Sequence, residues 1–209
     1  MRVVGLTVGL VRITRHLSFD DLRQGKVEPI DAYQLQVRDW ILKPAKHLAD
    51  LRSEDTDHGM ALLALELMFF EPHGQYLTGR DSERRSRATF CEAFATFIDF
   101  SINQGLASPD IRELELSGFY RWARCGLFHS TRLANELLVD AVNFSNFCLS
   151  KNNMLGGWLV NPWLMLGALE KYVESYVELV RSEPYGELAK NFNNTFDRLL
   201  REPMDYFCT

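Results

Sequence analysis

Residues 163–181, WLMLGALEKYVESYVELVR, form the clearest structural pattern in this chain of 209 residues. Apolar side chains recur there every three or four positions, which places them along one face of an α-helix. The predicted buried stripe comprises Leu166, Leu169, Tyr172, Val173, Tyr176 and Val180. Pro162 stands just before the stretch and suits the first turn of a helix. The pattern therefore predicts an amphipathic helix with one face packed against a core.

Similar spacing on the N-terminal and C-terminal sides extends the helical prediction to most of the chain. Further helices are expected over residues 31–52, 57–70, 82–105, 109–138 and 185–202. Asp31, Asp57, and either Asp81 or Ser82 are the expected N-caps. Pro44 should kink the first of these helices or split it after Leu42. Residues 71–81, EPHGQYLTGRD, are predicted to form a loop because they contain one proline and two glycines.

Residues 139–162, VDAVNFSNFCLSKNNMLGGWLVNP, interrupt the helical pattern. They alternate partly between apolar and polar side chains and carry turn signals at 151–153 and 156–157, which predicts a small β-hairpin. The predicted fold class is all-α: a single-domain bundle of about six helices with this hairpin inserted before the penultimate helix. The helical domain is assigned to residues 31–209. Residues 1–30 form an N-terminal segment of uncertain structure, in which residues 2–13 resemble a short strand.

Composition narrows the classes of function. A net charge of −5 with 46% hydrophobic residues is ordinary for a globular protein, so any polyanion must bind at a local basic patch. No export signal and no apolar run of about 20 residues is visible, which predicts a cytoplasmic protein without membrane contact. The four cysteines are scattered, and the chain lacks GxGxxG, P-loop, HExxH and GxSxG motifs. We therefore expect no metal site and no cofactor.

Two charged features allow a structural and a functional interpretation. Apart from its Asp57 cap, the apolar helix 57–70 has Glu66 as its one charge, so Glu66 is either an ion-pair partner or part of a site. Glu66, Glu71 and His73 alone are too few to predict a carboxylate metal site. The second feature comprises Arg80, Arg84, Arg85 and Arg87. These arginines form either a solvated face paired with acids such as Glu83 or a small phosphate-binding patch.

Residues 124–129, RCGLFH, are the strongest candidate for chemistry. On an ideal helix, residues five apart are rotated by about 140° and do not share a face. Gly126 lies between Arg124 and His129 and lowers the free energy of a bend that would bring them together. The alternative is structural: Arg124 pairs with an acid at 113, 115 or 136, and His129 is half-buried and bonded to a backbone carbonyl.

The arrangement around this pair resembles the HEPN superfamily, whose signature is an Arg followed after four to six residues by a His. FYRWARCGLFHS (119–130) carries the resemblance, with the following hairpin and amphipathic helix in matching places. The resemblance implies a homodimer in which both copies of Arg124 and His129 line one cleft. It further implies metal-independent cleavage of RNA, as in toxin or antiviral-defence effectors, with an antitoxin or defence-complex protein as a further partner.

The chemistry of the two side chains agrees with that implication. Histidine exchanges protons near neutral pH and suits acid–base catalysis at a ribose 2′-hydroxyl, and arginine is a permanent cation suited to a phosphorane-like transition state. Arg121, Arg132 and Ser130 are the candidate substrate-binding residues.

Cys125 and Thr131 depart from the fuller family pattern, in which a polar residue follows the Arg and some toxin members carry a Tyr. The second hypothesis is accordingly a non-catalytic HEPN-like interaction module or accessory subunit of a larger defence or regulatory complex. Its docking aromatics would be exposed side chains at Trp158 and Trp163.

Overall fold

The computed structural model of the protein describes residues 13–51, 58–130, 133–140, 145–154 and 156–201. The predicted N-terminal strand, apart from Ile13, and the predicted Asp57 cap lie outside these residues. The α-helices are α1 (Phe19–Arg23), α2 (Pro29–Val37), α3 (Lys43–Asp50), α4 (Gly59–Thr78), α5 (Ser86–Asn103), α6 (Leu116–Phe119), α7 (Gly126–Ser130), α8 (Pro162–Ser182) and α9 (Glu187–Phe196). Shorter elements are π-helical turns at Arg38–Leu42, Tyr120–Cys125 and Asp197–Arg201, and a 3₁₀-helix at Pro109–Glu113. The strands are β1 (Leu137–Val139), β2 (Leu149–Lys151) and β3 (Trp158–Val160).

The core lies around α4, which packs against α5, α8 and α9. Phenylalanine rings dominate it: Phe70 of α4 makes edge-to-face contact with Phe90 and Phe94 of α5, at centroid distances of 5.6 and 4.9 Å. Each buried ring of this size contributes roughly 1.5–3 kcal/mol. All six residues of the predicted α8 stripe are buried. The prediction of a mostly helical single domain with a small β insertion is therefore confirmed.

The predicted loop at residues 71–81 is wrong, because α4 continues through Thr78. Pro72 lies inside the helix, where a proline ordinarily costs about 3 kcal/mol. The residues around it, including Phe70 and His73, are buried, and their packing offsets that loss. A side chain at Gly74 would clash with the backbone carbonyl of Thr89, so this glycine serves close packing of α4 on α5. Gly79 ends the helix with a left-handed φ of 67°.

Several helix boundaries differ from the prediction. Helix α2 begins at Pro29, so Asp31 lies in its first turn and is not the cap. The split expected after Leu42 is not a break in the helix: a π-helical turn ends there, the backbone N–H of Lys43 bonds to the carbonyl of Arg38, and α3 follows directly with Leu42 and Lys43 in the right-handed helical region. Helix α5 begins at Ser86, because the chain turns at Arg84, which has a φ of 57°. Neither Asp81 nor Ser82 is therefore its cap.

The hairpin is confirmed and is part of a three-stranded sheet of order β1-β3-β2. Strands β2 and β3 pair antiparallel, whereas β1 pairs parallel to β3 with Leu137 opposite Trp158. Strand β1 lies where the helix 109–138 was predicted to end, so that prediction is wrong for its last residues. The rest of that helix is divided into the 3₁₀-helix, α6, a π-helical turn and α7. Among the described residues, no helix is both long and apolar enough to span a bilayer.

Candidate functional site

The segment that carries Arg124 and His129 stays helical throughout. Residues 120–125 form a π-helical turn and α7 follows directly, with Gly126 in the right-handed helical region at φ −58° and ψ −51°. The backbone N–H of Gly126 bonds to the carbonyl of Arg121, five residues earlier. The hypothesis of a bend at Gly126 is therefore wrong. A widened turn just before it alters the direction of Arg124 instead, and such turns are frequent at functional sites.

Arg124 is held in place from two sides. Its Nη2 lies 3.4 Å from Oε2 of Glu71 on α4, and its guanidinium carbon lies 4.9 Å from the centre of the Phe128 ring. The side chain keeps 28% of its surface exposed. Its partner is none of the acids at 113, 115 and 136 that the structural alternative named. The contact joins α4 to the segment before α7 and fixes the orientation of the guanidinium.

His129 lies on the exposed surface in the last turn of α7. Within the described part of the chain it makes no hydrogen bond and no ion pair. The alternative of a half-buried histidine bonded to a carbonyl is therefore wrong. Arg124 and His129 share one helical segment without a hydrogen bond between them, so the segment presents an oriented cation and an uncommitted imidazole.

Of the predicted supporting residues, the structure describes the side chain of Arg121 alone. Arg121 is exposed, and its charge acts on Glu115, whose pKa is lowered mainly by a hydrogen bond from Ser117 and also by Arg121. Arg121 and Arg124 lie three residues apart in the same helical segment, and a role for Arg121 in binding substrate stays a prediction. Arg132 and the side chain of Ser130 lie outside the described residues.

Two apolar side chains, one that contacts Arg124 and one close in the chain to its partner Glu71, are exposed. Phe128, which stacks on Arg124, is 40% exposed, and Met68, one turn before Glu71 on α4, is 50% exposed. The two aromatic side chains that were predicted to be exposed are not, since Trp158 is buried and Trp163 is partly buried. Trp40 is instead exposed, at 55%. The exposed apolar side chains next to the candidate site therefore come from α4 and α7.

A second histidine, His73, for which no functional role was predicted, is buried in the core with both ring nitrogens hydrogen-bonded. Nδ1 of His73 lies 2.7 Å from the hydroxyl of Tyr33, and Nε2 lies 3.0 Å from that of Tyr172. The Tyr172 hydroxyl continues to Thr96 at 2.6 Å. Burial lowers the pKa of His73 to about 3. Its position seven residues after Glu66 was the available signal, because residues seven apart lie on the same face of a helix.

Glu66 lies on that same face of α4 and has no hydrogen-bond partner in the part of the chain that the structure describes. It is fully buried, and neither carboxylate oxygen accepts a hydrogen bond from the described residues. Burial raises its pKa well above the usual value, and the predicted ion pair is absent there. The nearby Cys148 thiol has a pKa of about 12, raised first by burial and then by Glu66. Within the described ranges, no three His, Cys, Asp or Glu side chains form a group able to hold a metal ion.

Comparison with known proteins gave no match, since no protein-family model, curated protein or solved structure is significantly similar to this chain. The HEPN resemblance therefore rests on the spacing of Arg124 and His129 and on the order of the elements around them. It stays a prediction.

Proposed function

We propose that the protein is a metal-independent endoribonuclease, of the toxin or antiviral-defence type, whose site is formed by Arg124 and His129 at a homodimer cleft. The observation that supports this most strongly is the contrast between the two side chains. Arg124 is oriented by Glu71 and Phe128, while His129 is exposed and makes no bond within the described chain. An oriented cation and an uncommitted imidazole, here carried by one helical segment, are the two groups that phosphodiester transesterification requires.

Arg124 supplies the positive charge in this proposal. Glu71 contacts only Nη2, so the other guanidinium N–H groups remain to donate to a phosphate oxygen. Stacking on Phe128 and the Glu71 contact hold the planar group in one orientation, which reduces the entropy lost when it binds the transition state. Glu71 also opposes the binding of phosphate by its negative charge. Binding of RNA at Arg124 therefore requires favourable contacts whose free energy outweighs this repulsion.

His129 transfers the protons. In one protomer it removes the proton from the ribose 2′-hydroxyl, whose oxygen then forms a bond to phosphorus. The bond from phosphorus to the 5′-oxygen breaks, and His129 of the second protomer donates a proton to that leaving oxygen. The products are a 2′,3′-cyclic phosphate and a 5′-hydroxyl. A two-fold dimer is needed because one imidazole cannot be the base and the acid of the same step.

A second candidate function has its own observation. Phe128, which stacks on Arg124, and Met68, one turn from Glu71 on α4, both expose apolar surface, and Glu71 already neutralises part of the arginine charge. Surface of this kind favours a protein partner over RNA. In this alternative the chain is a non-catalytic interaction module or accessory subunit, and Arg124 with Glu71 positions the aromatic side chain at the interface.

The test uses labelled single-stranded RNA in EDTA with the full chain. The proposal expects cleavage with cyclic phosphate ends, detected by mass spectrometry, and a fall in rate of about 10²–10⁴-fold in His129→Ala. Arg124→Lys should retain RNA binding better than it retains rate, since lysine keeps the charge without the planar fork. His47→Ala is the matched control, because His47 is an exposed histidine on α3.

Two outcomes contradict the ribonuclease proposal. One is the absence of cleavage by the wild-type chain over a panel of RNAs. The other is cleavage of equal rate in His129→Ala, which would assign the activity to a contaminant or another site. In contrast, a partner complex that forms with the His129→Ala protein and is lost with Phe128→Asp supports the interaction module.

A further inference from the structure

A pocket of about 270 Å³ lies on another side of the molecule, between α8 and the segment formed by α3 and its preceding π-helical turn. One wall is basic and carries Arg38, Lys43 and Lys46. Arg38 and Lys43 both contact Asp39, at 3.1 and 2.8 Å. Lys46 makes no ion pair within the described chain, so this wall keeps an excess of positive charge.

The opposite wall is acidic. Glu170 and Glu174 line it from successive turns of α8, and neither makes an ion pair with a described residue. The two carboxylates lie four residues apart on α8 and repel each other. The cations of the basic wall lie on the other side of the pocket. The two walls nevertheless stay unpaired, with no N–O distance of 4.0 Å or less between them.

The same helix does pair with its neighbour where the two surfaces meet. Near the end of α8, Arg181 contacts Asp31 of α2 directly and also reaches Gln34, which lines the pocket. An ion pair therefore joins α8 to α2 near the end of α8, whereas the charged residues of the two pocket walls form none with each other.

The floor of the pocket is apolar. Leu42 and Val173 line it, and both are buried. The volume corresponds to about nine water molecules at ~30 Å³ each, which is smaller than the usual site for a drug-sized ligand. A ligand that fits is therefore small and presents apolar surface between two charged ends.

We propose that this pocket binds a small zwitterion, specifically a free apolar amino acid. Its carboxylate would lie at the basic wall near Lys46, its ammonium at Glu170 and Glu174, and its side chain on Leu42 and Val173. A simple anion would leave the two glutamates unpaired, and a simple cation would leave Lys46 unpaired. Only a ligand with both charges satisfies both walls at once. This inference is independent of the proposed ribonuclease function.

The test is isothermal calorimetry on the full chain with L-alanine, L-valine, L-leucine, L-methionine and L-phenylalanine. At least one is expected to bind, and for that one the N-acetyl derivative and the amide are expected to bind at least about ten-fold more weakly, because each lacks one charge. Loss of binding with both blocked forms supports the zwitterion. Equal binding of either blocked form, or no binding by any of the five, overturns it.

Substitutions locate the site. Glu174→Gln and Lys46→Gln are each expected to weaken binding about five-fold or more. Glu178→Gln and Lys190→Gln are the matched controls, because both residues are exposed and neither lines the pocket. Since all four positions are on the surface, thermal unfolding should show that each variant stays folded. Unchanged affinity in both Glu174→Gln and Lys46→Gln would place the binding elsewhere and overturn the proposal.

Discussion

His73 and His129 show how burial assigns different roles to the same side chain. His73 lies in the core with both ring nitrogens hydrogen-bonded to tyrosine hydroxyls, and its pKa is about 3. His129 is exposed and makes no hydrogen bond within the described residues. The first is kept neutral and contributes to the specificity of core packing. The second is accessible to solvent and ligands, so only the second is suited to proton transfer in a reaction.

The buried polar groups on one face of α4 differ in how many hydrogen bonds they make. His73 and Glu66 lie seven residues apart on that face, and both are fully buried or nearly so. His73 has two partners, whereas neither oxygen of Glu66 has one among the described residues. A buried polar group without a partner lowers stability by about 1–3 kcal/mol. We therefore expect His73 to stabilise the fold and Glu66 to destabilise it.

We expect the largest effect from His73, because the free energy of unfolding that depends on this residue falls as the pH is lowered. The unfolded chain takes up this proton near pH 6.5, while the folded chain resists it down to about pH 3. Because the unfolded state then binds more protons, stability falls as the pH falls between these values. The contribution is about 4 kcal/mol from pH 7 to pH 3, with about half of it already lost by pH 5.

Urea unfolding at several pH values measures this effect as the difference between the wild type and His73→Phe, which cannot take up the proton. His47→Phe is the matched control, because His47 is an exposed histidine on α3. A wild-type advantage over His73→Phe that is equal at pH 7 and pH 5 would contradict the role assigned to His73.

A second comparison substitutes each histidine at pH 7. His73→Phe is expected to lower the free energy of unfolding by about 1–3 kcal/mol, because it leaves the buried Tyr33 hydroxyl without its partner. His129→Phe should change the same quantity by no more than about 0.5 kcal/mol. Chemical denaturation measures both. The double variant Tyr33→Phe with His73→Phe should recover part of the loss, and a strictly additive result would count against the hydrogen bond.

The substitution Glu66→Gln tests the effect of the buried carboxyl group of α4 on stability. The folded protein retains a proton on Glu66 that the unfolded chain loses near pH 4.5, so the wild type loses stability as the pH rises above that value. Glutamine cannot ionise, and we expect Glu66→Gln to be more stable by about 1–2 kcal/mol at pH 8 and to lack this slope. Glu178→Gln is the exposed control. Equal pH profiles for wild type and Glu66→Gln would show that Glu66 is ionised or partnered in the fold.

The smallest expected effect concerns the contact that orients Arg124. The ion pair with Glu71 is partly exposed on both sides, at 28% and 20%. A double-mutant cycle with Arg124→Gln and Glu71→Gln should therefore give a coupling free energy of about 0.2–1 kcal/mol. Glu71→Gln should also change the rate of RNA cleavage, while the free energy of unfolding should change little. A coupling near zero would indicate that Phe128 alone orients the guanidinium.

The candidate site was predicted in part. The sequence singled out Arg124 and His129 by type and spacing, but their actual environment came from residues distant in the chain. Glu71 lies 53 residues from Arg124, inside a segment predicted to be a loop because of its Pro and Gly content. Local signals gave the wrong structure there, because the packing of Phe70 and His73 outweighs the propensity of Pro72. Strand β1 was missed for a related reason, since its pairing with β3 spans about twenty residues.

Local patterns in the amino-acid sequence determined the helical class, the buried stripe of α8 and the β2–β3 hairpin. Each of these depends on residues close in the chain, whose spacing sets which side chains share a face. Only the tertiary structure decided that α4 runs through Pro72, that His73 joins Tyr33 and Tyr172, and that Glu71 orients Arg124. These contacts join residues 40 to 99 positions apart. Their free energy appears only when the helices pack and water is excluded between them.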